Sequence, residues 1–128
     1  MRLLLDTQLL IWAAAGNLPL KAVHYIDNKA NTLLFSSASI WEISIKSGLN
    51  RPDFAVDPAA LYNGLLGAGY EELPVTSRHA LLVRTLPMLH KDPFDRILLA
   101  QAASEGLTLL TADKTVAQYP GSVVFTAF

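Results

Sequence analysis

Short apolar runs alternate with segments whose apolar residues recur every three or four positions along almost the whole chain. The short runs, bounded by turn residues, indicate buried strands, and the helical recurrence indicates amphipathic helices. The pattern predicts strands at residues 2–5, 32–36, 72–75, 107–110 and 122–125. It predicts helices at residues 7–15, 20–29, 39–47, 59–66, 78–86, 94–105 and 114–118. Residues 51–58 and 88–92 are predicted to be loops.

This alternation of strands and helices favours an α/β fold, in which helices cover both faces of a parallel sheet. Right-handed crossovers bring the carboxyl ends of all strands to one edge, where ligands of such folds bind. The third strand contains Pro74, which has no backbone N–H to donate, so we expect this strand at an edge of the sheet. The 128 residues correspond to a single domain, 1–128.

The composition indicates a protein partner and excludes some kinds of chemistry. Hydrophobic residues make up 52% of the chain, which is high for its size and predicts that part of the apolar surface packs against a second chain. The absence of cysteine excludes disulfides and thiolate chemistry. A net charge of −1 argues against a surface that coats phosphates, although a bound cation could supply local positive charge. No apolar run is long enough to span a membrane, so we expect a cytoplasmic protein.

Five acidic residues fall near the ends of predicted strands or the starts of predicted helices. They are Asp6, Glu42, Asp92, Asp95 and Asp113. Each has a local explanation in helix capping: Glu42 could reach back to the Ser39 amide in a capping box, and Asp92 precedes a proline that opens a helix. Capping alone, however, does not require these acids to lie together.

If the topology does bring these acids together, a positive centre must lie among them. Two carboxylates about 4 Å apart repel by roughly 4 kcal/mol at an effective dielectric constant near 20. The basic residues that could supply the positive charge are Lys46, Lys91, Arg96 and Lys114. A divalent cation fits better, because carboxylate oxygens are the ligands that Mg²⁺ and Mn²⁺ prefer.

Four segments resemble the motifs of PIN-domain ribonucleases, and most of all the VapC-type toxins of type II toxin–antitoxin systems. They are Leu-Leu-Leu-Asp-Thr at 3–7, the Glu-bearing segment 36–46, His-Lys-Asp-Pro-Phe-Asp-Arg at 90–96 with its apolar continuation to 102, and Leu-Leu-Thr-Ala-Asp at 109–113. Their order and spacing agree over nearly the whole chain. The resemblance implies a PIN-like three-layer α/β/α fold, a metal-dependent endoribonuclease using Mg²⁺ or Mn²⁺, a homodimer and a cognate antitoxin.

The resemblance also implies roles for the acids. Asp6, Glu42, Asp95 and Asp113 take the places of the family's four acidic residues, with Asp92 as a fifth, outer acid. We expect Asp6 and Asp95 to hold the principal metal, and Glu42 and Asp113 to position water or a second metal. Water would then attack an RNA phosphodiester and leave a 5′-phosphate and a 3′-hydroxyl.

Several neighbouring residues could support such a site. Thr7 and Thr111 could orient the acids through their hydroxyls or could be turn residues. Arg96 could contact the scissile phosphate, although a surface salt bridge is the favoured interpretation. Lys46 follows Glu42 by four residues, a spacing that favours an ion pair on the helix surface.

We expect structural rather than catalytic roles for the three histidines and for Trp41. His24, His79 and His90 show no metal-ligand spacing and are predicted to be surface or packing residues. Trp41 could stack on a base, but it shares a helical face with Ile45, which favours packing in the core.

Two other functions remain open from the residues. One is a catalytically silent PIN-like protein-interaction module, which would also explain the near-neutral charge and the apolar excess. The other is a phosphate-accepting signalling domain or a phosphatase with an aspartate nucleophile. The second is disfavoured, because Asp6 is followed by Thr7 and Gln8 rather than by another acid.

Overall fold

The computed structural model describes residues 1–49 and 55–128. Its strands are β1 (Arg2–Leu5), β2 (Thr32–Ser36), β3 (Glu71–Leu73), β4 (Thr108–Thr111) and β5 (Val123–Phe125). Its helices are α1 (Thr7–Ala14), α2 (Leu20–Asp27), α3 (Ser37–Gly48), α4 (Pro58–Gly67), α5 (Ser77–Leu82) and α6 (Pro93–Glu105). Short 3-10 helices cover Val83–Thr85 and Val116–Gln118. Within the described ranges, no helix has the length and apolar character needed to cross a bilayer.

The strands form one parallel sheet in the order β3-β2-β1-β4-β5. The central strand β1 pairs with β2 on one side and β4 on the other. The order therefore changes direction between β1 and β4, and a ligand crevice is expected outside their carboxyl ends. The predicted parallel sheet is confirmed, with β3 at an edge.

Helices cover both faces of the sheet. Successive side chains of β1 point to opposite faces and therefore pack into two different hydrophobic clusters. Leu3 and Leu5 pack with residues of α1, α2, α3 and α4. Leu4 points to the opposite face and packs with Leu98 and Leu99 of α6. All three leucines of β1 are fully buried, which explains why the strand is apolar on both faces between Asp6 and the exposed Arg2.

Several predicted boundaries are corrected. The helix expected at 39–47 begins at Ser37, and Ser36 is its N-cap, accepting from the Ala38 amide at 3.0 Å. The predicted capping box at Ser39 is therefore wrong, and Glu42 lies in the second turn of α3. The helix expected at 114–118 is a 3-10 turn at Val116–Gln118. Of the loop predicted at 51–58, residues 51–54 lie outside the described residues and Pro58 already begins α4.

The predicted burial of Trp41 is wrong. Trp41 is 64% exposed and Ile45 is 42% exposed. The two residues share a helical face, but α3 turns Ile43 rather than this face to the core. Trp41 packs edge-to-face on Phe94 of α6, so this apolar face lies at the surface.

Candidate active site

A cleft of about 440 Å³ lies outside the carboxyl ends of β1 and β4, between α1, α3 and the start of α6. All five acids named from the sequence line it, and Lys46 is the basic residue in its wall. Asp6 directly follows β1, and Asp113 lies two residues beyond β4. Because β1 and β4 are parallel neighbours, their carboxyl ends bring together acids that are more than a hundred residues apart in the chain.

Asp6 is held by three hydrogen bonds. Its Oδ1 accepts from the Leu9 amide at 2.8 Å and so caps α1. Its Oδ2 accepts from the Thr111 hydroxyl at 2.7 Å and from the Ala112 amide at 2.8 Å. Burial raises the pKa of the Asp6 carboxyl more than these bonds lower it, and the charge of Asp113 adds to the rise.

Asp95 lies in the first turn of α6, while Asp92 is the N-cap of that helix and accepts from the Phe94 amide at 2.9 Å. Burial raises the pKa of Asp95 to about 6, and the charges of Asp92 and Asp6 contribute to the rise. A hydrogen bond from His90 acts in the opposite direction. Asp92 thus performs the capping, and Asp95 is left to face the cleft.

Asp113 is anchored by the turn that follows β4. Its Oδ1 accepts from the amides of Thr115 at 2.7 Å and Val116 at 3.2 Å. Its other oxygen, Oδ2, lies 3.7 Å from His90 Nε2. Asp113 therefore does not cap a helix as predicted: one of its oxygens holds the turn before the 3-10 helix, and the second one faces the histidine.

Glu42 is buried, and only one of its two carboxylate oxygens has a hydrogen-bond partner among the described residues. It is only 6% exposed, and its Oε2 accepts from Lys46 Nζ at 2.7 Å, as the spacing of these two residues predicted. Its Oε1 is buried and has no hydrogen-bond partner among the described residues. A buried carboxylate oxygen without a partner is costly, so this oxygen has free capacity to bind a cation.

The donor set fits a hard divalent cation. It consists of carboxylate oxygens in one cleft, one of which is buried without a partner, and such oxygens are the preferred ligands of Mg²⁺ and Mn²⁺. In addition, one ligand atom each from His90, Asp95 and Asp113 lies within 4.8 Å of the others. Lys46 can neutralise only part of the negative charge of this cleft.

The supporting residues divide into those that meet the acids and those that do not. Thr111 orients Asp6, as one interpretation of the sequence had it. Thr7 instead donates to Ser39 Oγ at 2.9 Å. Arg96 is only 7% exposed and donates to backbone carbonyls and to Tyr119, so the predicted surface salt bridge is wrong. A contact between Arg96 and the scissile phosphate stays a prediction.

His90 is the site residue that the sequence interpretation missed. Its Nε2 lies 2.7 Å from Asp95 Oδ2, although it was grouped with the surface and packing histidines. Its position in the loop leading into the helix of Asp95 is the sequence feature that could have indicated this contact. His24 is exposed, and His79 is buried with a capping role in α5, in agreement with the prediction for these two.

The PIN domain family model matches residues 3–121. VapBC2 from Rickettsia felis, bound to a DNA fragment from its promoter, has a TM-score of 0.68 at 16% identity, covering 100% of this chain and 99% of that chain. DNA-bound VapBC from Salmonella typhimurium has a TM-score of 0.68 at 18% identity, covering 98% of each chain. A toxin–antitoxin complex from Klebsiella pneumoniae has a TM-score of 0.66 at 20% identity, covering 94% of each chain. At these identities the likeness is one of fold. None of the curated proteins matches the chain.

Proposed function

Because this chain belongs to the PIN domain family, we propose that it is a metal-dependent endoribonuclease and the toxin of a toxin–antitoxin pair. The observation that carries the proposal is the convergence of Asp6, Glu42, Asp95 and Asp113 on one cleft, with Glu42 Oε1 buried there without a partner. A set of caps would not need a shared cleft or an unpartnered buried oxygen.

Asp6 and Asp95 would hold the principal Mg²⁺ or Mn²⁺, and Glu42 and Asp113 would complete the donor set. When bound, the cation lowers the pKa of water and neutralises negative charge that develops on the phosphate. Thr111 and the Ala112 amide keep the Asp6 carboxylate in one orientation. Glu42 Oε1 can bind the cation or accept a hydrogen bond from water.

The reaction proposed is hydrolysis of an RNA phosphodiester. The oxygen of water bonds to phosphorus, the bond between phosphorus and O3′ breaks, and the proton from water ends on O3′. The products are a 5′-phosphate and a 3′-hydroxyl. The chain positions the reactants through carboxylates, and no covalent intermediate on a side chain is needed.

The biological role is supported by the similar solved structures, which contain VapBC or toxin–antitoxin complexes. We propose on this basis that an antitoxin binds this chain and blocks its activity. RNA as the substrate rests on the resemblance of the four acidic motifs to those of VapC-type ribonucleases. Lys46, whose side chain is 44% exposed beside Glu42, is available at the cleft wall to meet a phosphate.

The proposal is tested by incubating the purified chain, free of antitoxin, with total cellular RNA in EDTA, Mg²⁺ or Mn²⁺. We expect cleavage only with metal. Asp6→Asn and Asp95→Asn should each slow it by at least about 100-fold, because several kcal/mol of charge stabilisation is lost. Glu71→Gln, an exposed acid on β3, is the matched control and should cleave like wild type.

Thermal unfolding must first show that both Asn variants fold. If the folded Asp95→Asn variant still cleaves RNA, Asp95 is not required for catalysis and its assignment to the site is wrong. A folded wild-type chain that cleaves no RNA with either metal would favour the alternative, a catalytically silent interaction module.

A further inference from the structure

The segment before α6 directs a histidine ring at the acidic cleft. His90 Nε2 lies 2.7 Å from Asp95 Oδ2 and 3.7 Å from Asp113 Oδ2. The ring thus lies between Asp95, at the start of α6, and Asp113, beyond the end of β4. Asp92 already caps α6, so the contact between His90 and Asp95 is not needed to begin the helix.

A buried clamp holds the backbone of His90. The Arg96 guanidinium donates to the carbonyls of Val83 at 3.1 Å, Pro87 at 3.0 Å and His90 at 3.4 Å. It also donates to the Tyr119 hydroxyl at 3.1 Å, and that hydroxyl accepts from the His90 amide at 2.9 Å. The clamp fixes residues 83–90 through their backbone alone, so the His90 ring is not needed to hold this segment in place.

We propose that His90 is a positioning residue of the metal site, one that orients Asp95 by donating from Nε2 to Oδ2. Asp95 Oδ1, which takes no hydrogen bond within residues 1–49 and 55–128, is then left for the cation. This inference rests on the metal binding in the proposed function and adds a fifth residue to the four acids. Partners that orient metal-ligating groups typically contribute about 10–100-fold to metal affinity.

Direct ligation by His90 is disfavoured by the other ring nitrogen. A histidine bound to a metal almost always donates its second ring N–H to a carboxylate, carbonyl or water. His90 Nδ1 has no protein partner in the part of the chain that the structure describes, whereas Nε2 is at hydrogen-bond distance from a carboxylate. The geometry therefore favours an orienting donor over a ligand.

The test is calorimetric titration of the full chain with Mn²⁺ alone and with Mg²⁺ alone. We expect His90→Ala to weaken the affinity for both metals by about the same factor, between roughly 10-fold and 100-fold. His90→Gln retains an N–H donor and should recover most of the loss. His24→Gln, at an exposed histidine on α2, is the matched control and should bind like wild type.

Three outcomes with the His90 variants would overturn the inference. They are wild-type affinity in His90→Ala, no recovery in His90→Gln, and a loss confined to Mn²⁺. A loss confined to Mn²⁺ would indicate a nitrogen ligand, because Mn²⁺ is a transition metal whereas Mg²⁺ is a hard cation that takes oxygen ligands. A wild-type chain that binds neither metal overturns it as well. If wild type binds metal and His90→Ala weakens it, but no RNA is cleaved, the positioning role stands and the ribonuclease proposal fails.

Discussion

Burial, and to a smaller extent the charges of neighbouring acids, destabilises the ionised forms of Asp6 and Asp95 more than their hydrogen bonds stabilise them. Burial and neighbouring charges raise the pKa of both Asp6 and Asp95. Lys46 pairs with Glu42 alone, so no lysine or arginine in the described ranges pairs directly with Asp6 or Asp95. The metal-free site is therefore strained electrostatically at neutral pH, and a cation would relieve this strain.

The metal-free chain should gain stability as the pH falls from 7 to 5. The pKa of Asp95 is about 6 when folded, against an ordinary value of 3.8, so the folded state binds more protons in this window and stability is lost as the pH rises through it. The gain at pH 5 from Asp95 alone should be about 1 kcal/mol. Urea unfolding in EDTA at the two pH values measures it.

The same measurement on Asp95→Asn should show a smaller dependence on pH, because the asparagine does not titrate. Added Mn²⁺ should reverse the trend for wild type, since metal binding requires ionised carboxylates and stabilises the folded state. A metal-free wild-type chain that is less stable at pH 5 than at pH 7 would contradict the raised pKa values as the dominant effect.

Thr111 links the two acids that follow β1 and β4. Its hydroxyl donates to Asp6 Oδ2 and accepts from the Asp113 amide at 3.0 Å. Thr111→Val should lower the free energy of unfolding by about 1.5–3 kcal/mol, because a bond to a charged group is lost. It should also weaken Mn²⁺ binding. Thr108→Val, on the same strand but bonded to Ser122 at the surface, should leave metal affinity unchanged, and equal effects of the two variants would argue against this role.

At the scale of elements, both ends of α6 are fixed by specific residues, and Asp95 lies in its first turn. Asp92 caps its start, Pro93 occupies its first position, and Gly106 ends it in the left-handed conformation at φ 66°. The next residue, Leu107, is buried and leads directly into β4. Because α6 leads directly into β4, its start and its end together determine the position of Asp95 relative to Asp113, which follows β4.

Gly106→Ala should lower the free energy of unfolding by about 1 kcal/mol, because a residue with a Cβ is strained at positive φ. Nothing lies within 4 Å of the added Cβ, so the cost comes from the backbone alone and metal affinity should not change. Gly64→Ala is the matched control. It lies inside α4 with equally free space and should stabilise the chain by up to about 1 kcal/mol. Chemical denaturation measures the free energy of unfolding of both variants. Stabilisation by both substitutions would contradict a backbone strain at position 106.

On the scale of the whole molecule, one apolar face stays uncovered. A depression of about 510 Å³ is lined by apolar residues of α3, α5 and α6 and by Val75 and Val83, with Ser37 as its one polar residue. Trp41, Ile45 and Leu49 extend the exposed apolar surface along α3. A face with almost no charged lining needs no opposite charge on its partner, which suits pairing with an identical face around a two-fold axis.

We therefore predict that the chain forms a homodimer through the face that contains Trp41. Trp41→Asp should shift it to a monomer, because a charge would have to be buried in the interface. Leu20→Asp is the control, since Leu20 is similarly exposed at the start of α2 outside this face. Size-exclusion chromatography with light scattering measures the mass. A dimer that survives Trp41→Asp would exclude this face.

Local chemistry and periodicity determined the parallel α/β sheet and the helix caps at Asp6 and Asp92. These features depend on residues close in sequence: a carboxylate and the amides two or three positions later, or the alternation along one strand. For the same reason the acids after β1 and β4 could be assigned to one edge once the strands were ordered.

Only the tertiary structure decided which face of α3 points inward, and with it the burial of Glu42 and the exposure of Trp41. Apolar residues surround that helix, as Ile40, Trp41, Ile43 and Ile45 show, so its pattern has no single apolar stripe to indicate the core. The contacts of Arg96 with Tyr119 and of His90 with Asp113 join residues 23 apart in each case. Such contacts are set by how helices pack on the sheet, which the order of residues along any one element does not contain.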